Sequence, residues 1–234
     1  MIFNDFAKAM GQMGDPRFNR VLGLGVGLTV ALLVAVYAVF MIVVDWIMPD
    51  QFTIPFIGTI EWIDNLVSWA SAILMIWFST FLMAPVASAF TGLFLEDVAA
   101  AVEDTHYGHL PRAAPIPFAE GVKDALGFLG VMIVANLVAL LFYMVFTVFS
   151  PLIFWSLNGY LLGREYFQLV AMRRLGREGA RKLRARHGLV IWLAGILMAM
   201  PLSVPIVNLF IPVLGVATFT HLFHRLQTED PSRF

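Results

Sequence analysis

The chain has 234 residues, 60% of them hydrophobic and 13% charged, with a net charge of −1 and a mean hydropathy of +0.82. Soluble domains carry roughly 25% charged residues, so this composition describes an integral membrane protein and excludes a water-soluble domain. With no cysteine there is no disulfide framework, no thiolate metal site and no thiol nucleophile. The near-zero net charge says little about partners, because the charges are segregated along the chain.

Residues 1–19 open the chain as an interfacial helix. Ile2, Phe3, Phe6, Met10 and Met13 share one face, opposite Asn4, Asp5, Lys8 and Gln12, a pattern suited to the surface of a lipid bilayer. The apolar run that follows is too long for a signal-peptide core, so no cleaved leader is expected. Residues 21–44 lack Asp, Glu, Lys and Arg over 24 positions, enough for one span of about 20 residues plus tilt. The connector from 45 to 64 holds Asp45, Asp50, Glu61 and Asp64 but no Lys or Arg. Residues 65–95 are again free of charge. At 31 residues, or about 46 Å of helix, they outrun the roughly 30 Å hydrocarbon core. A long second helix over 65–105, kinked near Pro85, should therefore continue out of the membrane.

Two further uncharged stretches, 125–163 and 187–224, are 39 and 38 residues long. Each is too long for one span and short for two spans with a turn. Breakers interrupt both: Ser150-Pro151 in the first, and Pro201, Pro205 and Pro212 in the second. This predicts re-entrant hairpins over 125–163 and 187–226, joined by a basic connector over 164–186. Charge placement agrees. With two spans and two hairpins, all 15 Lys and Arg fall on one side of the bilayer, as the positive-inside rule requires. Six full spans satisfy the same rule and stay open, although helix length favours hairpins. The predicted fold is an all-α integral membrane protein in a single membrane domain. It has two long transmembrane helices, two re-entrant (hemi-penetrating) helical hairpins and an N-terminal amphipathic helix.

Four segments then carry a resemblance: DPRFNRVLGLG, APVASAFTGLFLEDVAAAVE, NGYLLGREYFQLVAMRRLG and PIVNLFIPVLGVATFTHLF. Together they resemble the CysZ-type sulfate permease family, which shares a domain with the etoposide-induced membrane proteins. The resemblance implies sulfate or a related oxyanion as partner. It further implies passive or ion-coupled uptake across the bacterial inner membrane by a multi-pass homo-oligomer, feeding cysteine synthesis. The family pattern before the first long helix is similar to Gly-x-Arg-Arg. Phe18-Asn19-Arg20 is the best match, so Arg20 takes the second arginine position and Asn19 departs from the first, with Arg17 as a possible substitute. Substrate binding is thus expected at Arg17, Asn19 and Arg20. Asp15-Pro16 reads as a helix start, where free backbone N–H groups beside arginines suit a tetrahedral oxyanion. Interface anchoring would explain the same arginines equally well.

Asn136, Asn158, Arg164, Glu165 and Asn208 are the candidates for lining a path, because polar and ionisable groups near membrane depth are functional by default. The asparagines serve equally well as glue between helices. The arginines between 173 and 186 read as a cytoplasmic surface for anionic lipid, or as an anion-attracting vestibule. His106 with His109, and His221 with His224, have helical ligand spacing but no strongly spaced third ligand, so no metal is expected and they read as solvated or interfacial. No nucleophile elbow and no phosphate-binding Gly-Lys motif occurs, so neither an enzyme, a cofactor nor nucleic-acid binding is indicated. A membrane scaffold or assembly factor without conducted substrate is the alternative. Channel and proton-coupled symporter are not separated by these residues. The charge pattern makes a direct prediction. Cysteines placed singly at Arg112 and Arg181 should react with an impermeant thiol reagent from the same side, and one at Pro55 from the other. Opposite labelling of 112 and 181 in intact cells and opened vesicles would rule out the arrangement.

Overall fold

The computed structural model describes residues 1–47, 53–54, 58–59, 94–204, 207 and 210–229. The chain forms two compact units, one of Met1–Leu22 with Thr91–Phe234 and one of Gly23–Phe90. Apart from one pair of two-residue strands in the second unit, the regular structure among the described residues is helical. There β1 (Thr53–Ile54) pairs antiparallel with β2 (Gly58–Thr59), Thr53 opposite Thr59 and Ile54 opposite Gly58.

The first unit opens with α1 (Ile2–Gly11). Its buried residues are Asp5 and Ala9, whereas Phe3 is 76% and Met10 48% exposed. Of the face expected to meet solvent, Asp5 and Gln12 are buried against protein, where they have partners, while Asn4 and Lys8 stay exposed. Arg225 donates to Asp5 Oδ2 from Nε and Nη2 at 3.1 and 2.8 Å. Gln12 Nε2 donates to the Ala101 carbonyl, Thr105 Oγ1 and Asp15 Oδ2. The chain turns at 12–14 and a new helix begins at Pro16, so the interfacial helix expected over 1–19 is two elements. Helix α2 (Pro16–Ile47) contains the whole of the expected first span and runs about 48 Å. Residues 65–93 of the expected second helix, including Pro85, lie outside the described residues. Its end is described as α3 (residues 94–106), one residue past the expected boundary.

Helices α4 (Phe118–Val145) and α5 (Ser150–Arg186) form an antiparallel pair around a short 3-10 turn, Thr147–Phe149. The break falls at Ser150-Pro151 as expected, since proline near a helix start costs no hydrogen bond. Residues Ala119–Val145 of α4 have the length and apolarity to cross a membrane, with a mean hydropathy of 2.5 and only 6% of the most apolar window buried. Its side chains face outward, as lipid-facing ones do. Near the other end of the pair, Gln168 Nε2 donates to Asp124 Oδ1 at 3.4 Å and Arg177 Nε lies 3.5 Å from it. From this polar level the arms reach the turn in roughly 35 and 27 Å at 1.5 Å per residue. Both lengths bracket the hydrocarbon thickness, and both arms start from the same side.

The basic stretch 164–186 is the continuation of α5 and not a separate connector. Gly176, at φ 66° and ψ 177°, interrupts the helix with a backbone conformation that only glycine adopts readily. The chain then bends by 88° into the next helical segment. Helix α6 (Gly188–Ala199) is about 18 Å long, short of a full crossing. It ends in the 3-10 turn Met200–Ser203, which holds Pro201. Helix α7 (Ile211–Glu229) follows, with Pro212 in its first turn. Both described prolines therefore stand at helix ends, where the missing N–H is tolerated; Pro205 lies outside the described residues. Helix α7 is the centre of the unit, buried continuously from Val213 to His224 and packed by α1 and α5.

Glycines set the approach of α5 and α6. Gly159 and Gly163, spaced as a small-xxx-small pair, face Ile196 and Ile191, and a Cβ on Gly195 would enter the Gly159 carbonyl. Backbone cannot move aside as a flexible side chain can. Gly195→Leu should therefore cost at least the 1–3 kcal/mol typical of overpacking. Thermal unfolding in detergent should show a clear drop for Gly195→Leu and little change for Gly188→Ala, whose Cβ would meet open space.

Candidate functional site

Glu103, near the end of α3, is a buried carboxylate at the meeting point of three helices. Arg174 Nε of α5 donates to its Oε1 at 2.8 Å, and Arg173 Nη1 stands 3.4 Å from Oε2. From α7, His224 Nε2 lies 3.1 Å from Oε1. A carboxylate only accepts, so this imidazole nitrogen carries the proton. Burial opposes ionisation of Glu103, but the hydrogen bonds from His224 and Arg174 and the charges of Arg173 and Arg174 outweigh it and hold the carboxyl at about 2.

Aromatic and imidazole rings close this cluster. Tyr107 stacks on His224 with ring centres 4.0 Å apart, and its hydroxyl shares a 3.0 Å hydrogen bond with His221 Nδ1. Burial pushes the phenol up to about 12, so it stays neutral. His106 meets His221 edge to face at 4.8 Å. The two α7 histidines are buried and bonded, not solvated or interfacial, because α7 is the core helix. Among the described residues, no group of three or more acidic or imidazole side chains is arranged to hold a metal ion.

Beside the cluster opens a cavity of about 600 Å³, lined by Glu103, Asp104, Tyr107, Arg112, Arg173 and Arg174, among others. Arg17, at the head of α2, reaches its rim by donating to Asp104 Oδ2 at 2.8 Å. The start of α2 is already capped. Asp15 Oδ1 accepts from the Arg17 amide at 2.8 Å, so that N–H is engaged by a carboxylate and not free for an oxyanion. Asn19 and Arg20 are exposed, and Arg20 forms no ion pair with any described residue.

The other path candidates do not converge. Asn136 Nδ2 donates to Met132 O and Asn158 Nδ2 to Phe154 O, each 2.8 Å away and one turn back on its own helix. An amide on an apolar helix satisfies itself locally in this way. Asn208 lies outside the described residues. Arg164 sits over the Phe128 ring at 5.6 Å, and neighbouring Glu165 is half-buried, both near the polar level marked by Asp124. Sequence reasoning placed Glu103 and Tyr107 in no site, read His224 as solvated or interfacial, and gave Arg173 and Arg174 either a lipid-facing surface or an anion-attracting vestibule. The available signal was a pair of matching spacings: Glu103, His106 and Tyr107 on one helix, His221 and His224 on another.

A helical fold with an outward-facing apolar helix long enough to cross a bilayer is that of a membrane protein. The chain belongs to the Sulfate transporter CysZ/Etoposide-induced protein 2.4 family, whose model matches residues 5–212. This bears out the resemblance read from the four segments. No curated protein gives a match.

The cluster makes a pH prediction. The Glu103 carboxyl is depressed from the usual 4.5 to about 2, so its stabilisation is complete above pH 4.5 and is lost as the pH falls toward 2. A shift of that size corresponds to about 3 kcal/mol. Glu103→Gln should lower the unfolding temperature at pH 7 and lose most of that deficit by pH 3. An equal deficit at both pH values would show that the charge of Glu103 contributes nothing.

Proposed function

We propose that the protein is a permease or channel for sulfate or a closely related oxyanion in a bacterial inner membrane. Family membership over 208 matched positions supports transport of this class of ion. The observation that carries the reading is the division of the two arginines at the head of α2. Arg17 is committed to Asp104, while Arg20 is exposed and without an ion pair among the described residues. An unpaired guanidinium offers a planar fork to a tetrahedral oxyanion. Asp15 already caps the helix, so the anion is held by side chains, with Asn19 adding a neutral donor. Helix α6, too short for a full crossing and ended by Met200–Ser203, fits the entering arm of a re-entrant hairpin, and the α4–α5 pair fits either a hairpin or a crossing pair with both ends on the basic side. Several such protomers together enclose the path, since the polar residues described in one chain do not line one by themselves.

Liposome flux of radiolabelled sulfate separates this reading from a scaffold that conducts nothing. Arg20→Ala should weaken sulfate binding about 10–150-fold, from the 1.5–3 kcal/mol of a charge-assisted hydrogen bond. Arg20→Lys should restore only part of it. Undiminished affinity in a folded Arg20→Ala protein would make Arg20 a membrane anchor and remove it from the site.

A further inference from the structure

We infer that the cavity between α3 and α5 is a second oxyanion site, separate from the head of α2 and built on Arg112, Arg173 and Arg174. The first argument is charge. The lining holds three arginines against Glu103 and Asp104. Asp104 is already claimed by Arg17, and Glu103 receives both buried arginines and His224. In the wider neighbourhood Glu96 acts on Arg173 and Asp15 on Arg17, so the excess of arginine is confined to the lining itself. Arg173 and Arg174 have side chains only 6% and 12% exposed. Cations buried to this degree require compensation, which engages Glu103 and leaves Arg112 as the lining arginine with no ion pair among the described residues.

The second argument is an unpartnered donor. Arg173 Nη1 is buried and makes no hydrogen bond, its 3.4 Å approach to Glu103 Oε2 being an ion pair without hydrogen-bond alignment. Arg174 is held by Glu103 through Nε and by the Pro111 carbonyl through Nη1, which fixes its plane at the cavity wall. Arg112 is exposed at the mouth with no ion pair to a described residue. The arrangement is one fixed fork, one buried donor without a hydrogen bond and one exposed cation round a space of about 600 Å³. That matches a tetrahedral oxyanion, and the chemistry is shared by dissolved sulfate or phosphate and by the phosphate of a lipid headgroup.

Static binding tests this independently of transport. The full-length protein carrying Arg20→Ala, purified in a maltoside free of phospholipid, is dialysed against radiolabelled sulfate with inorganic phosphate as competitor. A second arm adds phosphatidylglycerol and counts retained lipid by native mass spectrometry. Arg112 is exposed, so Arg112→Ala and Arg112→Glu should fold where Arg173→Ala, in the buried cluster, would not. Saturable sulfate binding in the Arg20→Ala protein, weakened about 10-fold by Arg112→Ala and further by Arg112→Glu, supports a site for the dissolved ion. Phosphatidylglycerol retained by the Arg20→Ala protein and lost with Arg112→Glu supports the same site filled by a headgroup. Neither binding, or binding indifferent to both Arg112 variants, overturns the inference. Cavity binding in a protein without sulfate flux would leave this site standing while removing the transport reading.

Discussion

The carboxylate of Glu103 is the point on which the described fold turns. It draws Arg173 and Arg174 from α5 and His224 from α7 onto the end of α3. Burying ions costs several kcal/mol each, and the cost is offset only when every partner is in place. The three helices must therefore arrive together, and the chain on either side is arranged to allow it. Gly176 turns α5 away two residues after Arg174, and the bend after Arg186 brings α6 back along the same helix. Tyr107, stacked on His224, seals the cluster from the side. Asp5 and Arg225 repeat the device nearby, tying α1 to α7. The basic end of the molecule is thus held by ion pairs, while the apolar arms beyond it are free to face lipid.

That division explains what the sequence made legible. Uncharged runs and prolines give the helix-break-helix pattern directly, because hydrophobic length and a missing N–H are local properties. The breaks at Ser150-Pro151 and Met200–Ser203 accordingly fall where expected. The family was legible for a similar reason, its segments being contiguous. The face of α1 was not, since amphipathic periodicity presumes that polar means solvent, and here Asp5 and Gln12 find polar partners inside. Glu103, Arg173 and His224 were equally hidden. Arg173 and His224 lie 70 and 121 positions from Glu103, and nothing local to any of them announces the other two.

The asparagines teach the complementary lesson. Asn136 and Asn158 looked like path residues because polar groups are scarce in apolar helices. Each instead returns its amide to its own helix one turn back. Scarcity of polar groups marks a position as costly, but a carbonyl of the same helix is always within reach and can meet that cost alone. Convergence of several polar residues from different helices is the stronger sign, and among the described residues it occurs at the basic end.

Of the 15 basic residues, 12 are arginine. Topology alone would accept lysine equally, so the bias needs a reason of its own. Arginine remains charged at any pH the cell reaches, and its fork binds a carboxylate and an oxyanion in the same geometry. The same side chains can therefore assemble the cluster and still offer donors to a ligand, as Arg174 does by using Nε on Glu103 and Nη1 on Pro111. Glu103, held at about 2, does not titrate near neutrality either. The charge on the cavity wall is consequently fixed across physiological pH. The anion site proposed there would therefore not be gated by pH, because neither the arginines nor Glu103 changes charge in that range.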